Sequence, residues 1–184
     1  HDKLAMMRTA IQMLTEQGYV YIGMDHFALL DDALAVAQRR GMLHRNFMGY
    51  TTQPDCDMIG LGVSSIGRMG PCYAQNDRTI EGWTDAVRAG RLPIVRGCEL
   101  SRDDMLRRSA IMSIMCSGEV SFAALENSYL VDPKLAFADE LGRLREFQDL
   151  GLVQVDAEGI AVTPQGRFFA RPIAMVFDRY LRSA

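Results

Sequence analysis

Apolar positions fall into short blocks of two periods, and the pattern changes near residue 100. Residues 3 to 17 set Leu4, Met7, Ile11 and Leu14 at helical spacing between polar neighbours, and Gly18 supplies the stop. Residues 19 to 24 follow at once as a β-branched and aromatic run, which predicts a strand. A helix closed by glycine and handed directly to a strand is how one α/β unit passes to the next. The first hundred residues therefore read as the end of an α/β domain whose preceding strand is missing, and the chain as the remainder of something longer.

Asp31 or Asp32 can cap a helix over residues 32 to 40, with Arg39 and Arg40 at its C-terminal dipole and Gly41 ending it. Residues 72 to 76 read as a strand end and 79 to 89 as a helix with Trp83 and Val87 four apart, Trp83 being a core anchor. After a break over 90 to 93, an extended segment runs from 94 to 100.

Beyond that point the pattern is mostly helical. Ser101 caps a helix of about 15 residues with Asp103 and Asp104 in its first turn, and a shorter helix fits 121 to 128. A third, over 133 to 150, carries Leu135, Ala138, Leu141, Leu144 and Phe147 at every third position. Residues 152 to 162 alternate and turn as a hairpin, and Thr163 with Pro164 opens a last helix reaching Leu181. Three helices, a hairpin and a closing helix make a winged-helix-like module over 101 to 184.

That fold raises the question of DNA, and charge answers it. Residues 134 to 149, the would-be recognition helix, hold Lys134, Arg143 and Arg145 against Asp139, Glu140, Glu146 and Asp149. A groove-reading helix must neutralise phosphates, so no nucleic-acid partner is expected. The net charge of -3, from 20 basic and 23 acidic side chains, draws neither nucleic acid nor an anionic membrane. No apolar run approaches the roughly 18 to 20 residues that span a bilayer, so a cytoplasmic protein with no membrane partner is expected. Cys56, Cys72, Cys98 and Cys116 are dispersed with no C-x-x-C pair, which reads as reduced structural thiols and no zinc site. Met105, Met112 and Met115 read as adaptable core packing.

Candidate chemistry concentrates between residues 44 and 67, where a basic pair, two aromatics, a polar run and glycines at 49, 60, 62 and 67 crowd together. Glycine costs roughly 0.5 to 1 kcal/mol against alanine in regular structure. Four of them imply backbone lying close to a ligand or a neighbouring strand. His26 follows the predicted strand 19 to 24, at the end where α/β folds put ligands; it can equally form a turn hydrogen bond with Asp25.

Several blocks resemble one family. These are Met24-Asp25-His26-Phe27, Asp32 with residues 34 to 39, Leu43-His44-Arg45-Asn46-Phe47, Gly49-Tyr50-Thr51-Thr52-Gln53, Gly62-Val63-Ser64 with Ile66, Cys72-Tyr73-Ala74-Gln75-Asn76, and the tail from 171 to 181. In order, and through essentially all 184 residues, they resemble bacterial oxygen-independent coproporphyrinogen III oxidases. The Gly-Tyr-Thr-Thr block separates these from the related haem chaperones.

The resemblance implies an α+β chain: the C-terminal end of a partial α/β barrel with a site-facing extension (1–100), then the helical winged-helix-like module (101–184). It implies radical chemistry driven by S-adenosylmethionine, two molecules of it in the full enzyme, and a [4Fe-4S] cluster held through C-x-x-x-C-x-C. The reaction turns two propionates of coproporphyrinogen III into vinyls, giving protoporphyrinogen IX, with an electron donor or acceptor as partner. This chain has no C-x-x-x-C-x-C. It is therefore expected to need the missing N-terminal barrel portion, to be inactive alone, and to hold no catalytic residue or metal ligand.

By the same resemblance Phe47 and Ile66 match positions that contact the second S-adenosylmethionine, although Met48 stands where a Gln is expected. A macrocycle with four propionates calls for cations; Arg45, flanked by His44 and backed by Arg39 and Arg40, is the substrate-binding candidate, with His44 and the Tyr50 hydroxyl beside it. The alternative is a tetrapyrrole or haem carrier from the related branch, using His44 or His26. The truncated α/β edge is expected to promote self-association.

Overall fold

The computed structural model describes residues 2–183. In chain order the elements are α1 (Asp2–Glu16), β1 (Tyr19–Gly23), β2 (His26–Leu29), α2 (Ala33–Arg39), β3 (His44–Asn46), β4 (Gly49–Thr51), β5 (Ile66–Met69) and β6 (Cys72–Asn76). There follow α3 (Ile80–Arg88), β7 (Ile94–Glu99), α4 (Arg102–Cys116), β8 (Glu119–Ser121), α5 (Phe122–Tyr129), α6 (Pro133–Ala136), α7 (Ala138–Asp149), β9 (Val153–Val155), β10 (Gly159–Val162) and α8 (Ala170–Met175). They form two compact units, one of residues 1–54 with 107–184, the other of residues 55–106.

In the first unit α1 ends as expected, with Gly18 at φ 86° passing the chain to β1. The strand then behaves differently from the sequence pattern. β1 pairs with β2 in an antiparallel hairpin, Tyr19 opposite Leu29 and Tyr21 opposite Phe27. Only Met24 and Asp25 separate the two strands, far short of the dozen or so residues a parallel crossover needs. All strand pairs among the described residues are antiparallel. Asp32 caps α2 by accepting from the Leu34 N–H at 2.7 Å, and Gln38 ties the helix to β1 by donating to the Ile22 carbonyl at 2.7 Å. Ile22, Ala28, Ala35, Leu43, Tyr50 and Cys116 close one buried cluster here.

The same unit holds a three-stranded sheet in the order β8-β10-β9, and Ser121 both ends β8 and caps α5. The expected helix over 133 to 150 is two helices broken at Phe137. Its buried positions are 133, 137, 140 and 144, whereas Leu135 is exposed, because a strict spacing of three rotates off a face of period 3.6. Phe137 packs edge-on against Phe177 with centroids 5.0 Å apart, and both are fully buried with Leu144 and Ile173. The last helix is also interrupted: the Thr163 hydroxyl accepts from Gly166, a 3-10 turn runs over Gly166–Phe169, and α8 follows.

The second unit is a sheet in the order β5-β6-β7 with α3. Thr79 caps α3, its hydroxyl accepting from Gly82 at 3.2 Å. Met58 forms a bridge with Arg68 that extends the β5 edge, and β7 is exposed along its whole length.

Candidate functional site

The basic and aromatic residues of 44 to 51 fold as a tight hairpin, with His44 opposite Thr51, Arg45 opposite Tyr50 and Asn46 opposite Gly49. The turn is locked by the Asn46 side chain, which accepts from the Met48 N–H at 2.8 Å. Phe47 and Met48 stand at its tip, 54% and 89% exposed.

Tyr50 is the buried centre of the arrangement. Its hydroxyl donates to the Met115 carbonyl at 2.9 Å, the His26 ring meets it edge-on at 5.2 Å, and the Arg45 guanidinium lies 5.2 Å from its ring centroid. Burial pushes the Tyr50 phenol up to about 12 and the neighbouring Cys116 thiol up to about 11, with Arg45 acting in the opposite sense on both. Both are therefore protonated at neutral pH and act as packing groups.

His26, at the start of β2, takes the turn role its position allowed. Its Nδ1 lies 2.8 Å from Asp25 Oδ1, and its Nε2 faces the bare Cα of Gly49, where a Cβ would come within 2.8 Å of that nitrogen. Arg45 keeps one guanidinium nitrogen, Nη1, buried without a hydrogen-bond partner. Arg45 as a whole is half-buried, and a guanidinium is a natural partner of a carboxylate. His44 is half-buried beside it on β3.

Arg45, Tyr50 and His26 are thus brought together, with His44 on the same strand and Phe47 at the tip. The antiparallel start of β2 and the contribution of Met115 and Cys116 on α4 were not legible beforehand. Gly49 directly before an aromatic, with φ at 124°, is the local signal that something large lies against the backbone.

Ile66 belongs to the second unit, half-buried at the start of β5 and opposite Gln75. The glycines before it serve a neighbouring strand: a Cβ on Gly67 would lie 2.8 Å from the Met58 carbonyl oxygen, and one on Gly60 2.9 Å from the Ile66 carbonyl carbon. Asn76 donates to the carbonyls of Gly60 and Gly62 at 3.0 and 2.9 Å, and Gln75 to that of Ser64 at 3.0 Å. Arg68 is buried and holds Asp55 at 2.7 Å and the Cys56 carbonyl at 3.0 Å. The segment is fastened by side chains.

A four-iron cluster does not fit the donors of this chain. Among the described residues no three His, Cys, Asp or Glu side chains gather as a metal site, and Cys56, Cys72 and Cys98 are exposed while Cys116 is buried. Apolar surface is present in each unit taken by itself: Phe47 presents an exposed ring in the first and Ile66 a half-buried side chain in the second.

Residues 100–169 match the family model described as the HemN C-terminal domain. An oxygen-independent coproporphyrinogen III oxidase of Synechocystis is 47% identical over 99% of this chain, and one of Escherichia coli 46% identical over 98%. Each match covers 40% of the relative, so the chain spans about two fifths of the length of the curated relatives it matches. A solved structure titled as the coproporphyrinogen III oxidase (HemN) from Escherichia coli, a Radical SAM enzyme, superposes with a TM-score of 0.93 at 45% identity, covering 97% of this chain and 41% of that one.

Proposed function

The chain belongs to the oxygen-independent coproporphyrinogen III oxidases, whose C-terminal portion it matches, and on that premise we propose that it walls the substrate and second-cofactor site of such an enzyme. The reaction is oxidative decarboxylation of two propionates of coproporphyrinogen III to vinyls. S-adenosylmethionine, when bound and reduced, supplies the radical that removes a hydrogen atom from the propionate. The cluster that reduces it is held by a part of the enzyme outside this chain.

Within this chain Arg45 binds a carboxylate. Its guanidinium is a permanent cation, held over Tyr50, and a carboxylate reaching Nη1 would satisfy the vacant donor. Tyr50 and the His26–Asp25 pair orient that arginine rather than bind substrate, since the Tyr50 hydroxyl is engaged by Met115. His44 lines the same hairpin, and Phe47 and Ile66 offer apolar surface to the second S-adenosylmethionine. The observation carrying this reading is the vacant buried donor of Arg45 in a chain related along its whole length to these oxidases. A haem-carrier reading would rest on His44, since both nitrogens of His26 are occupied or covered.

The test is to read the coding region upstream of His1 and assay the longer product anaerobically with reductant, S-adenosylmethionine and coproporphyrinogen III. Loss of two carboxyl groups per substrate is expected; no turnover, with haem bound instead, sinks the proposal. In that enzyme Arg45→Met raises KM about ten- to a hundredfold, the worth of one charge-assisted hydrogen bond. Arg45→Lys recovers part of the loss. An unchanged KM in both variants removes Arg45 from the substrate contacts.

A further inference from the structure

Arg45 is accompanied by a second cation on its side of Tyr50. Arg167 belongs to the 3-10 turn between β10 and α8, and its Nε stands 4.0 Å from the position a Cβ would take on Gly118, just past the end of α4. The turn fixes it there. The Arg167 N–H donates to the Thr163 carbonyl at 3.0 Å, buried Gly166 lies against the Leu152 carbonyl, and the Phe168 ring stacks on Tyr21 with centroids 5.6 Å apart.

Both guanidinia bear on the same phenol. Burial raises the Tyr50 phenol while Arg45, at 5.2 Å from its ring centroid, and Arg167 oppose the rise; at Tyr21 burial is opposed by the Met24 hydrogen bond and by Arg167. The groups around them do not neutralise this charge. Tyr50 and Cys116 stay protonated at neutral pH, and Asp25, the acid that reaches Tyr21, is committed to His26 at 2.8 Å.

The C-terminal end of α4, which has no basic residue in its last turn, offers partial negative charge, but its carbonyls have other donors: Met115 takes the Tyr50 hydroxyl at 2.9 Å, and Ser113 takes the Ser117 and Gly118 N–H groups. Among the described residues neither Arg45 nor Arg167 makes an ion pair or a hydrogen bond through its side chain, and half-buried Arg167 has no guanidinium nitrogen closed off from solvent. Two fixed forks with reachable donors and no acceptor suit an anion that arrives from outside, and a carboxylate matches their geometry.

We propose that Arg167 is a second substrate-binding residue, which with Arg45 takes the carboxylate arms of the macrocycle. The inference rests on the assignment of a coproporphyrinogen as substrate, and its test separates the two.

The probe is coproporphyrin III, the oxidised macrocycle with the same four carboxylates, titrated into the longer enzyme and followed by the shift of its main absorbance band. Arg167→Gln and Arg45→Met each weaken binding about tenfold, and Arg167→Lys recovers part of the loss. Coproporphyrin tetramethyl ester, whose arms carry no charge, loses nothing in these variants; an equal loss for the ester marks a structural role and overturns the proposal. Turnover of coproporphyrinogen III by the parent enzyme is scored separately. Where the parent turns over and folded Arg167→Gln binds coproporphyrin III as tightly, the proposal is overturned and the substrate assignment stands. Where nothing turns over but binding still depends on Arg167, the carboxylate site stands and the assignment falls. Absence of saturable binding to the parent overturns the proposal. Should Arg167→Gln fail to fold, phenylglyoxal labelling of the parent, mapped by peptide mass spectrometry, decides: coproporphyrin III slows modification of Arg167 and the ester does not, whereas equal rates overturn the proposal.

Discussion

Tyr50 is held at its hydroxyl, its edge and its face, and its neighbours inherit the consequences. Burial pushes the phenol up from its ordinary 10.0 to about 12 and the Cys116 thiol up from 9.0 to about 11. Between pH 9 and 12 the unfolded chain therefore releases protons the folded chain retains, so stability is full below pH 9 and falls as pH rises through the folded values. Urea midpoints measured across that range should decline. Cys116→Val flattens the lower part of the decline and Tyr50→Phe the upper part; unchanged slopes in both variants would assign the decline to other groups. Gly49→Ala tests the same packing from the backbone side. With φ at 124° and His26 Nε2 only 2.8 Å from the new Cβ, it costs about 1 to 3 kcal/mol by chemical denaturation.

At the scale of elements, the broken helix over α6 and α7 shows which residues a periodic pattern misassigns. Leu135 lies outside and Glu140, an acid, lies inside at 2% exposure, paired with Arg107 of α4 at 2.9 Å. Hydrophobicity ranks these two the wrong way round because a buried charge is tolerated once it is paired and hydrogen-bonded. Glu140→Ala takes the carboxylate from a largely buried ion pair and leaves Arg107 with weaker partners such as the Phe177 carbonyl, at a cost of about 3 kcal/mol, whereas replacing Arg107 and Glu140 together with Met and Leu is near neutral. Denaturation of the single and double variants checks both; equal losses would contradict the pairing account. The caps, by contrast, were legible: Asp32, Ser101 and Thr163 each accept the N-terminal hydrogen bond their type and position predict.

Across the whole molecule the exposed apolar side chains concentrate in the second unit, where Ile59, Leu61, Met69, Leu92, Ile94 and Val95 all reach solvent beside the open edge of β7. An edge strand exposed along its length is a template for pairing. The chain therefore self-associates as its concentration rises, and light scattering that reports a clean monomer at high concentration contradicts this. The relatives are about two and a half times longer than their match here, and joining the chain to the rest of such a protein should suppress the association.

What the sequence determined by itself was local. Helix starts and stops, the strands over 19 to 23, 72 to 76 and 94 to 99, and the hairpin after residue 152 follow from caps, glycines and alternation, all of which act over a few residues. The crowding of cations, aromatics and glycines at 44 to 67 was visible in the same way. Tertiary structure decided the rest. The hairpin of β1 and β2 depends on a two-residue turn that no periodicity marks, and the burial of Glu140 depends on an arginine 33 residues away. The Tyr50 hydroxyl goes to a carbonyl 65 residues further on. Pairings across such distances leave no trace in local pattern, because only the folded chain brings the partners within bonding range.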